Sequence, residues 1–166
     1  MDISYLLWLQ HLRQLSNSCF DQFFSYITLF GERIFYLLFI AAIYWCINKK
    51  LGSFMACCYS VVQIFNQFLK NTFCVYRPWI RDSRIEPVSG AKSGATGYSF
   101  PSGHTASSTG VYGSLGIFCR KNYKLISIFS FILIFLIMFS RNWLGVHTPQ
   151  DVIVAFLCGF VLIVLS

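Results

Sequence analysis

"LISIFSFILIFLIMFSRNWLGVHTPQD", residues 125–151, decides the fold. From Leu125 to Phe139 it is apolar apart from Ser127 and Ser130, and then Arg141, His147 and Asp151 follow in close order. A helix on the surface of a soluble domain shows a polar face once per turn, and this run shows none. Crossing a bilayer takes roughly 20 apolar residues, which this run approaches. The stretch therefore reads as a membrane helix that ends in a polar turn, and the question is what that turn is for.

Composition answers for the whole chain. Of 166 residues, 56% are hydrophobic and 19% aromatic, including 18 phenylalanines, while 11% are charged. A soluble domain carries about 25% charged residues. These values exclude an ordinary soluble globular domain and predict an integral membrane protein. Its expected fold class is all-α, a multi-pass transmembrane helical bundle, with residues 1–166 as a single membrane-embedded domain. Met1 and Asp2 lack the positive region of a secretory signal, so no cleaved segment is expected. The cysteines at 19, 46, 57, 58, 74, 119 and 158 lie mostly in apolar runs without a C-x-x-C pair and read as small buried hydrophobes. The net charge of +7 predicts an anionic partner, either lipid headgroups or a phosphorylated substrate, and nothing suggests a nucleic acid.

Working outward, residues 3–15 have helical periodicity but are too short to span, and read as an interfacial amphipathic helix. The first span is expected over 22–47, broken near one end by Gly31-Glu32-Arg33 and bounded by Asn48-Lys49-Lys50. The second covers 51–76 and stops at Pro78, because the residue before proline disfavours helix. Residues 79–100 are polar and rich in Gly and Ser, long enough for an active-site loop. A third span runs from Gly103 to Phe118, its small residues (Ala106, Ser107, Ser108, Gly110, Gly113, Gly116) permitting close packing. A basic turn at 120–124, a fourth span at 124–141 and a fifth from Pro149 onward complete about five spans plus the N-terminal interfacial helix.

Alternation then sorts the polar residues. If each span reverses direction, Lys70, Arg77, His104, Arg141, His147 and Asp151 all fall at one membrane face. Three fixed cations, two histidines and a carboxylate suit phosphoryl transfer. Cations neutralise the equatorial oxygens, and the histidines provide a nucleophile and an acid for the leaving oxygen. Lys70 and Arg77, seven apart, are expected to share a helix face. Pro101-Ser102-Gly103-His104 reads as a helix start, whose free N–H groups bind phosphate and whose glycine permits close approach. His104, in the first turn, can protonate a leaving alkoxide. Thr148-Pro149-Gln150-Asp151 is a second helix start. Asp151, four residues after His147, can fix that ring's tautomer and aim its other nitrogen at phosphorus.

Each residue also has a plainer use. Asp151 and Ser102 can simply cap helices, the cations can anchor at the interface, and either histidine can be a structural hydrogen-bonder. The plainer uses do not explain why all six share one face. Glu32 and Arg33 lie toward that face too, and ionisable residues within a span tend to be functional; an interfacial position, a pairing with other residues and a headgroup contact are all open uses for them, and the sequence assigns no definite role.

Taken together, Lys70-x6-Arg77-Pro78, Pro101-Ser102-Gly103-His104 and Ser140-Arg141-x5-His147-x3-Asp151 resemble the three-part signature of the type 2 phosphatidic acid phosphatase superfamily. That superfamily includes glucose-6-phosphatase, bacterial undecaprenyl-diphosphate phosphatases and the soluble vanadium haloperoxidases. The resemblance covers residues 70–151 without a substitution at a defining position. It implies a helical core and a metal-independent phosphatase working through a phosphohistidine, with no metal or other cofactor. His147 would be the nucleophile, Asp151 its orienting partner and His104 the general acid, while Lys70, Arg77, Ser102, Gly103 and Arg141 would hold phosphate. Membrane members commonly have six spans. This chain departs from them in its interfacial first helix and its short C-terminal part, a departure compatible with truncation and with a homo-oligomer.

Three functions stay open on sequence alone. The first is hydrolysis of a lipid phosphate or polyprenyl diphosphate such as undecaprenyl diphosphate. The second is a phosphatase or phosphotransferase for a soluble phosphoester such as a sugar phosphate. The third is a non-enzymatic anion-binding or transport protein. Lys49, Lys50, Arg120, Lys121 and Lys124 occupy the opposite face, so the positive-inside rule places them in the cytoplasm. The protein is then expected in the cell membrane with its active site on the extracytoplasmic face.

Overall fold

Each apolar run folds as a helix and each polar break ends one. A computed structural model describes residues 2–16, 19–92 and 94–166, and among the described residues there is no β-strand. Helix α1 (Asp2–Leu15) is followed by α2 (Cys19–Leu29) and α3 (Arg33–Ala42), which continues as a π-helical turn over Ile43–Ile47. Next come the long α4 (Lys49–Phe73) and the single turn α5 (Pro78–Arg81). The third predicted span is α6 (Gly103–Ser108), a π-helical turn (Thr109–Gly113) and α7 (Ser114–Cys119). Helices α8 (Lys124–Trp143) and α9 (Pro149–Leu165) complete the bundle.

Helix α8 is long and apolar enough to cross a membrane alone. Phe20–Leu29 and Arg33–Ile47 meet that standard together, bent by 51° where Gly31 and Glu32 interrupt the run. Helix α9 is apolar but has 17 residues, and α4, with 25, is diluted by Gln63, Asn66 and Gln67. Ile64, Phe68, Phe129, Phe135, Leu157 and Val161 all point outward and exposed. No water-soluble surface keeps so much contiguous apolar area, so these residues mark the sides that face lipid.

Inside, Tyr36, Met55, Val111, Ile134 and Ile137 are fully buried where α3, α4, the second π-helical turn and α8 meet. In lipid such a core gains from van der Waals packing rather than from leaving water, so close approach matters most. The small residues of the third span provide it. A Cβ on Gly110 would lie 3.0 Å from the Tyr59 Cα, so α4 rests directly on this helix. Gly31 does the same at the α2–α3 bend, where an added Cβ would lie 3.0 Å from the His104 ring. That approach is what brings Glu32 beside His104.

Helix α1 buries Leu6 and Leu9 and lies against α8 and the long loop. Arg13 donates to the Trp143 carbonyl at 3.3 Å and to the Glu86 carbonyl, and Gln10 bonds the backbone of Arg84 and Glu86. It braces the loop as well as edging the bundle.

Two expectations need correcting here. The second span ends at Phe73 rather than near 76, because Cys74 turns left-handed (φ 48°), and Pro78 then opens α5 instead of closing α4. Of the six cysteines whose side chains are described, only Cys58 and Cys119 are buried; Cys46, Cys57 and Cys74 lie on outward faces. A small apolar thiol fits a lipid-facing surface as well as a protein core. The Cys19 side chain and residues 1, 17, 18 and 93 lie outside the described residues.

Candidate active site

The turn that opened the sequence question is built from local rules. Helix α8 ends at Trp143, and Gly145 takes φ 73°, a conformation that favours glycine. Its N–H reaches the Asn142 carbonyl, and those of Val146 and His147 reach the Arg141 carbonyl. Helix α9 then starts with a capping box. Asp151 N–H donates to Thr148 Oγ1 at 3.4 Å, and Thr148 N–H donates to Asp151 Oδ2 at 2.9 Å. The box fixes the carboxylate beneath His147, whose Nδ1 lies 3.4 Å from the same Oδ2. Ser99 Oγ, from the long loop, also donates to it at 2.5 Å.

His147 is 2% exposed, and its tautomer follows from its neighbours. Arg77 Nη1 lies 2.9 Å from His147 Nε2. A guanidinium can only donate, so Nε2 carries the lone pair and Nδ1 carries the proton toward Asp151. Burial holds the ring well below the ordinary histidine value; the Asp151 hydrogen bond opposes this, and the charges of Arg77 and Arg141 add to it. The ring is neutral at neutral pH, and its Nε2 lone pair accepts from the Arg77 guanidinium.

The predicted cations arrive by a route the spacing did not suggest. Lys70 lies on the last turns of α4, but Arg77 lies beyond the helix in extended backbone, so the two do not share a helix face. Arg77 is instead held by the loop it faces. It donates to the carbonyls of Thr96 (2.7 Å), Gly97 (3.0 Å) and Val146 (3.1 Å), while Lys70 donates to that of Tyr98 (2.7 Å). Burial brings Arg77 down to about 10, with Asp151 opposing, which leaves it protonated at neutral pH. Arg141 is 3% exposed. Its Nη1 donates to Thr28 Oγ1 at 2.7 Å, and its buried Nε has no partner among the described residues. A buried cation with an unused donor on a cavity wall is a ready anion contact.

At the start of α6, Ser102 is fully buried and works as a cap. Its Oγ accepts from Thr105 N–H at 3.4 Å, and its N–H donates to the Asp151 carbonyl at 3.0 Å, tying α6 to α9. It stands behind the cavity wall rather than on it. Gly103 is on the wall, and a Cβ there would meet nothing within 4 Å. The glycine leaves open space rather than easing a packed contact. His104 Nε2 lies 3.2 Å from Glu32 Oε1. A carboxylate accepts, so this nitrogen carries a proton.

One cavity of about 830 Å³ brings these pieces together: Lys70, Arg77, Gly103, His104, Arg141 and His147 all line it. Asp151 and Ser102 sit immediately behind. Sequence reasoning missed Ser99, Thr28 and the α4 amides Gln63, Asn66, Gln67 and Asn71. It flagged Glu32 and Arg33 without a role, and both line the cavity. Ser99 and Thr28 carry no sequence signal, since their partners are 52 and 113 residues away.

The chain is similar to known proteins. A Dictyostelium discoideum protein named "Probable sphingosine-1-phosphate phosphatase" is 27% identical over 158 residues, covering 86% of this chain. The chain spans only 36% of that relative's length. A Bacteroides thetaiotaomicron protein named "Lipid A 4'-phosphatase" is 26% identical, covering 86% of this chain and 68% of the relative. In fold, the chain is similar to the crystal structure of a transmembrane PAP2-type phosphatidylglycerolphosphate phosphatase from Bacillus subtilis. The TM-score is 0.78 at 23% identity, over 98% of this chain and 82% of that one. Residues 51–166, well over half of the chain and the part that holds nearly every wall of the cavity, match the PAP2 superfamily pattern. By fold and by sequence, the chain belongs to the PAP2 superfamily.

Proposed function

We propose that this protein is a membrane phosphatase that hydrolyses a lipid phosphate or diphosphate through a phosphohistidine, without a metal. The observation that carries the reading is the Arg77–His147 contact, which requires a neutral imidazole with its Nε2 lone pair at the cavity wall. In the first step that lone pair forms an Nε2–P bond as the P–O ester bond breaks. His104, as an imidazolium whose Nε2–H is held by Glu32, gives its Nδ1 proton to the leaving oxygen and becomes neutral, and Arg77, Lys70 and Arg141 neutralise the equatorial oxygens. Asp151 accepts from Nδ1–H and stabilises the positive charge that develops on the ring. In the second step water attacks phosphorus as the Nε2–P bond breaks, gives a proton to His104 and leaves phosphate and a neutral His147. The apolar sides support a lipid substrate that reaches the cavity from the bilayer, and the basic turns at the far end support an extracytoplasmic active site.

The test is phosphate release from a lipid phosphate in EDTA, with wild type and His147→Ala side by side. Wild-type turnover, its loss in the variant and acid-labile label trapped on His147 are expected. Turnover that survives His147→Ala would rule out the nucleophile, and a wild type that binds phosphate but never turns over would favour an anion-binding protein.

A further inference from the structure

The cavity is larger than one phosphate needs, about 830 Å³ in the range that takes a drug-sized ligand of roughly 300–1,000 Å³. Its extra wall comes from α4. Gln63, Asn66, Gln67, Lys70 and Asn71 all line it, at the spacing of one helix face. From Lys70 at the phosphate end to Gln63, this polar face descends about 10 Å along the helix. Polar side chains in a membrane-facing helix are costly unless they meet partners. Gln63 has one, since it donates to Ser107 Oγ. Asn66 does not: the residue is 4% exposed, and its Oδ1 is buried with no partner among the described residues. Across the cavity, Glu32 adds a carboxylate that is also an acceptor.

An unpartnered buried acceptor calls for a donor from the ligand. A second phosphate offers only acceptor oxygens at neutral pH, so it leaves the Asn66 Oδ1 without a donor. A plain hydrocarbon offers nothing. We propose that the α4 face with Asn66 at its centre, opposite Glu32, is a headgroup subsite. It selects phosphomonoesters whose carbon skeleton carries hydrogen-bond donors, hydroxyl or ammonium, next to the phosphoester. This deepens the phosphatase reading and rests on it.

The experiment measures kcat/KM in detergent micelles for phosphates of matched chain length. The panel is a plain alkyl phosphate, a 2-amino-3-hydroxyalkyl phosphate, a hydroxylated glycosyl phosphate lipid and a prenyl diphosphate. Wild type is expected to favour a donor-bearing substrate over the plain one by about tenfold, the scale of one satisfied buried hydrogen bond. Whether the amine or the sugar leads identifies the donor, and either supports the subsite. In Asn66→Leu that preference should shrink toward one, chiefly through KM on the donor-bearing substrate. An unmoved ratio in the variant, or a wild type that turns over plain alkyl phosphate or diphosphate at least as fast, overturns the subsite while leaving the phosphatase reading in place. The wild-type panel decides even where the variant does not accumulate. No turnover of any substrate by wild type would instead overturn the phosphatase reading, and the subsite with it.

Discussion

Replacing Asp151 with asparagine separates the charge of this side chain from its shape. One oxygen, Oδ2, takes all the described contacts: Ser99 Oγ at 2.5 Å, Thr148 N–H at 2.9 Å and His147 Nδ1 at 3.4 Å. An asparagine can place its carbonyl oxygen where Oδ2 sits and accept from the same donors, so geometry and tautomer survive. What disappears is the negative charge behind the ring. At 3.4 Å, a full charge pair at an effective dielectric of about 20 is worth about 5 kcal/mol. If roughly half a charge develops on the imidazole at the transition state, the loss is about 2–3 kcal/mol. That is about 30- to 150-fold in kcat. KM should hardly move, because Asp151 lies behind the cavity wall.

Alanine at the same position removes shape as well. Thr148 still caps α9 through the backbone N–H of residue 151, but the buried Ser99 hydroxyl loses its acceptor, at about 1 kcal/mol. Thr148, 1% exposed, keeps a buried N–H with no acceptor, at about 1–3 kcal/mol more. Asp151→Ala should therefore lose roughly 2–4 kcal/mol of stability, whereas Asp151→Asn should stay within about 0.5 kcal/mol of wild type. Phosphate release at saturating lipid phosphate gives kcat, and thermal unfolding in the same detergent gives stability. A well-folded Asp151→Asn protein within about threefold of the wild-type kcat would refute the claim that charge works on His147. Equal destabilisation by asparagine and alanine would refute the shared-oxygen geometry.

Two further outcomes follow from the same site. The free enzyme needs neutral His147, and burial lowers its proton affinity, so protonation sets in only at a pH below the ordinary value of about 6.5. The acid limb of kcat/KM should lie below that value, and a limb at or above it contradicts the assignment. Gly103→Ala should fold normally, because its Cβ enters open space, yet lower kcat/KM about tenfold or more by intruding on the phosphate. Full activity in that variant would show that phosphate does not approach this backbone.

Much of the fold was legible because lipid imposes simple rules. Apolar runs become helices, and polar breaks become turns. The capping residues of α9, Thr148 and Asp151, announce themselves within four positions, and the structure shows both halves of the box. Local chemistry of this kind can be read from spacing. Lys70 and Arg77 illustrate where spacing misleads. Seven residues suggested two turns of one helix, but α4 ends at Cys74, a position with neither glycine nor proline to mark it. Both side chains still line one cavity, since the loop carbonyls of Thr96, Gly97 and Tyr98 set their ends.

The same contrast explains Glu32 and the α4 face. Glu32 was visible as an ionisable break in a span, but its partner His104 is 72 residues away, and only the close approach of Gly31 to that ring brings them together. The α4 face was visible in another sense. Gln63, Asn66, Gln67, Lys70 and Asn71 recur at helical spacing, a pattern that reads as a weakened apolar span until the neighbouring helices are placed. A polar stripe on a helix in lipid must face something polar. Gln63 meets Ser107 of α6 and Lys70 meets the Tyr98 carbonyl; the stripe as a whole lines the cavity, where the proposed headgroup subsite gives it a further partner. On the proposed reading the residues around His147 cleave the phosphate, and the less conspicuous amides beneath Lys70 bear on what it is cleaved from.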